Sequence, residues 1–534
     1  MDSQTPSSLE KGSDKVKATV NIVPQLENTP EQAGVVKVEA IQAVWGQNGK
    51  YFLWAGLAMM MIIFELDNST IYTYQNYAAS AFSELSLIAA LSTAETIISA
   101  VIKPPIGKIS DVIGRGETYI FTILCYLISY ILCASSKSIN VYAGGIVFYS
   151  IGQSGTQILD QIIIADISST RWRGFAIGLS YFPFLITPWV AALIVDSVVD
   201  GIGWRWGIGM FAILMPFCSS FIIITLLYFQ RKAKKAGVVP RKKITVYEFC
   251  SLIDLGGMIF LSGGFAMLLL PITLAATTPS KWQTPWVDAV IVLGAVFLIA
   301  LVPYESYIAK HPVVPVHYLK NLSIVISCLL GAVDNLGFSA THQYLYSWSV
   351  VAHNFSARDA AFLLYTNGVF QCFIGIGAGW LMYKTRHYKW QVFIGVCIRF
   401  VGYGVMMRLR GANNSIAELF IVQLIQGAGS GIIQTIIVVS AQIVVPHAEL
   451  AQISSLVLLA SFVGSAVGES IAGGVYTNTF KGALRKHLGG EVSQSQIDSV
   501  FNSISGVLPG WGTEKRTAIN DAVRFAFDHY TTIM

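Results

Sequence analysis

From Tyr51 onward the chain is a succession of apolar runs of about 20 residues separated by short polar loops. Each run is long enough, as a helix, to cross roughly 30 Å of hydrocarbon. Composition agrees, with 54% hydrophobic and 12% charged residues over 534 positions and a mean hydropathy of +0.59. A soluble domain carries about 25% charged residues, so a string of soluble domains is excluded and the fold class is an all-α polytopic membrane protein. The net charge of +5 gathers in short loops and gives no reason to expect nucleic acid. The seven cysteines are scattered through apolar runs without CxxC spacing and read as small core residues.

The expected spans lie near 51–72, 85–106, 117–135, 141–165, 173–195, 206–229, 250–275, 286–304, 322–350, 358–382, 390–408, 416–443 and 450–475. This gives a polar, disordered N-terminal tail over 1–50, a six-helix bundle over 51–229, a basic linker over 230–249, two additional spans over 250–304 and a second helix bundle over 305–475. Residues 476–534 hold no spanning run and read as an extracytosolic loop or tail, with the last span of a fourteen-span chain missing; about thirteen are visible. Lys and Arg concentrate in alternate loops (Lys108 and Arg115, Arg171 and Arg173, Arg231 to Lys243, Lys384 to Lys389), which places the N-terminus in the cytosol. The sequons at Asn354 and Asn413 then fall outside. The two bundles repeat one another: Tyr149-Ser-Ile-Gly-Gln-Ser-Gly-Thr-Gln-Ile-Leu-Asp160 matches Gln423-Leu-Ile-Gln-Gly-Ala-Gly-Ser-Gly-Ile-Ile-Gln434, setting Gly155 against Gly429 and Asp160 against Gln434.

Ionisable groups inside spans cost roughly 2.5–3.5 kcal/mol each at the bilayer centre on insertion scales, so each needs a reason. Glu65 and Asp67 lie in the first span, Glu95 in the second among Ser and Thr, and Asp160 in the fourth; these four are the candidates for carrying a proton. Helical spacing puts Asp67, Thr70, Tyr74 and Tyr77 on one face, although an interfacial tyrosine belt also accounts for Tyr77. Gln153, Gln157, Asp160 and Gln161 form a stripe, with Gln423, Gln426, Ser430 and Gln434 as its counterpart. Two such stripes facing each other would line a wet central cavity; polar packing between helices is the competing account. Tyr181 and Trp189 in the fifth span, Asp334, His342 and Tyr346 in the ninth, and Asn367 and Gln371 in the tenth complete the candidate binding surface. There is no nucleophile–base pair, metal cage or phosphate loop in the sequence, so an enzyme is not expected.

The loop Gly107-Lys-Ile-Ser-Asp111-Val-Ile-Gly114-Arg115-Gly resembles the cytosolic signature loop of the major facilitator superfamily. With Arg171 and Arg173 it reads as a latch made and broken as helices tilt. Further stretches resemble the fungal siderophore–iron transporters of that superfamily: Leu66-Asp67-Asn-Ser-Thr-Ile-Tyr72-Thr-Tyr74-Gln-Asn-Tyr77, Lys103-Pro-Pro before the loop, Gln161-Ile-Ile-Ile-Ala-Asp166-Ile-Ser-Ser-Thr-Arg-Trp-Arg173, and Trp204-Arg-Trp-Gly-Ile-Gly-Met. The resemblance implies proton-coupled import of ferric siderophores by alternating access, in the plasma membrane or endosomal vesicles, by a monomer without a cofactor of its own. A siderophore already saturates its iron, so the carrier needs amides, hydroxyls and aromatic rings rather than metal ligands. Two alternatives stand beside this. One is a fourteen-span drug–proton antiporter, against which the fifth span's Tyr181-Phe-Pro-Phe and the presence of Tyr149 both count. The other is a transport-inactive siderophore sensor.

Overall fold

A computed structural model describes residues 33–167, 179, 182–235, 245–275, 283–310, 312, 316–385, 387–408, 415–445, 450–488, 497–498, 500–501 and 509–533. The regular structure among the described residues is helical throughout. In chain order the helices are α1 (Ala33–Ala81), α2 (Ile88–Val112), α3 (Arg115–Ser135), α4 (Ile139–Ile167), α5 (Thr187–Asp200), α6 (Trp204–Gly209), α7 (Phe211–Lys235), α8 (Val246–Leu252), α9 (Leu255–Ala275) and α10 (Pro285–Pro303). They continue with α11 (Leu322–His342), α12 (Leu345–His353), α13 (Ala357–Thr385), α14 (Lys389–Arg408), α15 (Ile416–Gln442), α16 (Leu450–Leu488) and α17 (Glu514–Ile533).

Local chemistry sets the breaks. Gly114, at φ 133°, separates α2 from α3 in a conformation that a side chain disfavours. Capping boxes start α8 (Thr245 and Glu248) and α15 (Ser415 and Glu418). Asn354 ends α12 in the left-handed region. Among the described residues ten helical segments are long and apolar enough to cross a membrane. Three other expected segments are the helices α2, α4 and α5.

Several boundaries differ from expectation: the first span, expected to stop at 72, runs on to Ala81, and the single span expected over 322–350 is the pair α11 and α12. The polar tail expected to 50 is helical from Ala33, since no proline interrupts Val35 to Lys50. The last bundle helix, expected to stop at 475, runs to Leu488. Its extension carries Tyr476, Phe480 and Leu484 four residues apart, and this stripe is buried against Phe501, Ile519 and Val523. Helix α17 therefore lies on α16, with further contacts to α12 and α14.

Helices α1 to α7 share one core, in which Tyr119, Tyr126, Tyr130 and Tyr142 are completely buried. Helices α11 to α16 make the second bundle. The sequence repeat has a direct structural meaning. Gly155 of α4 lets Thr122 of α3 approach, where a Cβ would stand 2.5 Å from the threonine methyl; Gly429 of α15 admits the α14 backbone at Arg399, 2.7 Å from such a Cβ. Gly427 does the same toward α13, so the run Gly427-Ala-Gly-Ser-Gly is a packing surface between helices. The two bundles meet along α2 against α16 and α5 against α13, while the α9–α10 hairpin packs on α2 and α16.

Candidate functional site

Each bundle buries one aspartate from its first span and holds it with side chains from its third and fourth spans, α11 and α12 together forming one span. In the N-terminal bundle Asp67, 0% exposed, accepts hydrogen bonds from the hydroxyls of Tyr130 on α3 (2.8 Å) and Tyr149 on α4 (3.0 Å). Tyr126 stacks on Tyr130 with ring centroids 5.5 Å apart. In the C-terminal bundle Asp334 lies 2.9 Å from Arg399 Nε on α14, an ion contact without the straight alignment of a hydrogen bond. It also accepts from Ser430 and Gln434 on α15, both at 2.9 Å. The electrostatics therefore differ. Asp334 has a guanidinium beside it, whereas no cation among the described residues stands within ion-pair distance of Asp67. A tyrosine hydroxyl can donate to a carboxylate and accept from a carboxylic acid, so the Asp67 site accommodates either form.

Other expected residues fall into three groups. Some extend the buried networks. Asp160 accepts from Tyr119 at 2.9 Å. Gln153 donates to Asn68 at 2.8 Å, and Asn68 neighbours Glu65. His342 Nε2 is 2.8 Å from Gln423 Oε1, and Asn367 donates to the Gln423 carbonyl at 3.3 Å. Gln426 donates to the Met406 sulfur at 2.9 Å. A second group sits inside its own bundle: the Thr70 hydroxyl donates back to the Leu66 carbonyl at 2.9 Å, and buried Tyr74 fills the space beside Gly207. A third group lies half-buried, namely Gln157, Trp189 and Gln371; Trp189 packs on Phe362 across the two bundles at 5.1 Å. Tyr181 lies outside the described residues.

Hydrogen bonds that tie the bundles together cluster toward the end carrying the 81–88 connection. Tyr346 donates to Tyr77 at 3.0 Å, Gln343 to Ser92 at 2.9 Å and Ser347 to Asn76 at 3.3 Å. Thr96 donates to Glu469 at 3.0 Å, and Tyr365 donates to the Ser69 carbonyl. Tyr346 thus belongs to the contact that closes this end.

At the opposite end, buried Arg115 pairs with Asp166 at 3.2 Å and donates to the Ser110 hydroxyl at 3.0 Å, joining the start of α3 to the end of α4. Gln230 of α7 donates to Glu117 at 2.6 Å beside Gly114. Gly107 is half-buried and Asp111 lies in the last turn of α2, while Arg171 and Arg173 lie outside the described residues.

Sequence reasoning passed over the tyrosine partners of Asp67 and Asp160, the identity of the partner of Arg399 and the acid Glu469. The tyrosines come from helices distant in sequence, so no spacing announces them. Glu469, an acid inside an apolar run, carries the same signal that picked out Glu95.

Two pseudo-equivalent helix bundles, each with a polar interior and meeting on two helix pairs, define a polytopic membrane carrier. The family model of the Major Facilitator Superfamily matches residues 52–469. Among relatives, the MFS siderochrome iron transporter C of Aspergillus fumigatus is 32% identical over 507 residues, covering 93% of this chain and 83% of the relative. Siderophore iron transporter 1 of Schizosaccharomyces pombe is 31% identical (94% and 82% covered), and a low affinity heme transporter of the same yeast is 33% identical (90% and 79%). Of solved structures, the POT family transporter PepTSo superposes with a TM-score of 0.56 at 14% identity, covering 90% of this chain and 98% of that one. A bacterial Spinster homologue in an inward-facing conformation gives 0.51 at 14% identity, with 91% and 95% covered. The chain belongs to the major facilitator superfamily and, within it, to the family of fungal siderophore iron transporters.

Proposed function

We propose that this chain imports ferric siderophores, of the hydroxamate type, by proton symport. The relatives' names support the cargo. The observation that carries the coupling is the difference between the two aspartates: Asp334 is neutralised in place by Arg399, while Asp67 has tyrosine partners that serve both protonation states. Asp67 is then the proton carrier, with Glu65, Glu95 and Asp160 as the further acids of the path.

With the N-terminus in the cytosol, the 81–88 end faces outside. The clustering of inter-bundle hydrogen bonds there supports a state closed to the outside and open inward, in the plasma membrane or an endosomal vesicle. The half-buried Gln153, Gln157, Trp189, Gln371 and Gln434 supply amide and indole groups for a bulky polar chelate. Charge moved inward gains roughly 2.3 kcal/mol per elementary charge at 100 mV. Because one relative is named for heme, an iron porphyrin is the second reading of the cargo.

Uptake of radioactive iron into cells lacking their own siderophore carriers tests this, with ferric hydroxamates, hemin and a protonophore as separate arms. Hydroxamate-dependent accumulation that collapses with the protonophore is expected. Accumulation blocked only by hemin would select the second reading, and drug tolerance without iron uptake would replace both by export.

A further inference from the structure

The seam between α2 and α16 is antiparallel. Thr93 meets Ser470 at 3.5 Å, Thr96 meets Glu469 at 3.0 Å, and Lys103 lies over the Phe462 ring at 4.0 Å. Glu469 is therefore an ionisable group placed on the surface along which the two bundles must part. It is 7% exposed, and Thr96 of the opposite bundle donates to its Oε1. Neighbouring helices present little that would balance a charge there. From α2 comes Glu95, of the same sign, and from α1 the neutral phenol of Tyr72. From α11 comes the Ser339 hydroxyl. Helix α9 contributes the apolar Phe265 and Leu269 beside Ala466. Among the described residues the cation that the α2–α16 contacts bring to the seam is Lys103, two turns away, roughly 10 Å along the helix.

We infer that Glu469 is the clasp of this end of the carrier: the seam closes when its carboxyl is neutral and parts when it is charged, and the hydrogen bond from Thr96 adds to the closed form. The reasoning is desolvation. A carboxyl among the hydroxyls of Thr96 and Ser339, beside a second acid and apolar walls, sits in the closed seam at small cost when it carries a proton. As a carboxylate it must be hydrated, and the nearest water lies in the opened seam. Protons outside would then favour closure once the cargo is aboard. This deepens the symport reading and rests on it for that last step, whereas the opening of the seam itself can be measured without any cargo.

The test is hydrogen exchange of the full chain in lipid nanodiscs, in mildly acidic and mildly alkaline buffer. Residues 88–96 and 469–477 are followed relative to 119–130 of α3 in the same sample. Wild type should lose protection of the seam by about tenfold on going alkaline, a typical size for coupling between sites. Glu469→Gln should stay protected in both buffers, and Glu469→Asp should follow wild type. Thr96→Val, which removes the donor and leaves the acid, should lower protection in both buffers while keeping the difference between them.

A wild-type seam indifferent to pH, or a Glu469→Gln seam that responds as wild type does, overturns the inference. Equal loss of protection in Glu469→Gln at both pH values would reduce the residue to packing and also overturn it. Should Glu469→Gln not fold, wild type and Thr96→Val decide, and unchanged protection in Thr96→Val is then the negative result. Iron uptake in the same variants separates the two readings: no uptake by wild type with a pH-sensitive seam removes the cargo and keeps the clasp.

Discussion

At the scale of single residues, the two aspartates invite opposite experiments. Asp67→Asn keeps an oxygen for one tyrosine and loses the exchangeable proton. Accumulation of ferric hydroxamate should fall about tenfold or more, while exchange of bound for free chelate persists; unaltered accumulation in uptake assays would remove Asp67 from coupling. Asp334 and Arg399 should behave as structure. Arg399→Gln leaves a carboxylate without its counter-charge among side chains that are about 5% exposed, a change worth about 3–5 kcal/mol of destabilisation. The pair Asp334→Asn with Arg399→Gln should recover most of that loss in thermal unfolding of the detergent-solubilised protein. The aspartates themselves were legible as acids in apolar runs. Their difference in character was not, because Tyr130, Tyr149 and Arg399 approach them only once separate helices have packed.

At the scale of helices, the glycines of α14 and α15 give a graded prediction. A Cβ at Gly429 would stand 2.7 Å from the Arg399 backbone nitrogen, whereas one at Gly404 meets nothing within 4 Å. Gly429→Ala should therefore cost about 1–3 kcal/mol through forced separation of α14 and α15. Gly404→Ala should be neutral or stabilising by about 0.5–1 kcal/mol through reduced backbone freedom. Melting curves of the two variants check both signs. The pairing of Gly155 with Gly429 was readable from the repeat, since close helix approach demands the same small residue in each bundle. The length of α16 was not: its extension past 475 is too polar to signal a span, and it is ordered by the contact of Tyr476 and Phe480 with the tail.

For the molecule as a whole, the order of apolar runs announced both bundles and the extra hairpin, because hydrocarbon thickness fixes helix length almost independently of packing. Which faces meet was hidden, since lipid-facing and bundle-facing positions are equally apolar. Orientation can be checked chemically. Asn354 is exposed at the end of α12, on the side assigned to the exterior. Secretory-pathway expression should add a glycan there, visible as an endoglycosidase-sensitive shift that Asn354→Gln removes. A glycan confined to the opposite side, at Asn321, would invert the assignment.

The α9–α10 hairpin rests on α2 and on α16, one from each bundle. When the bundles rock, it cannot travel with both, so one of its two faces must slide. It also covers the α2–α16 seam on the side it leans on. An amphiphile wandering in from the acyl chains would meet a wall on that side.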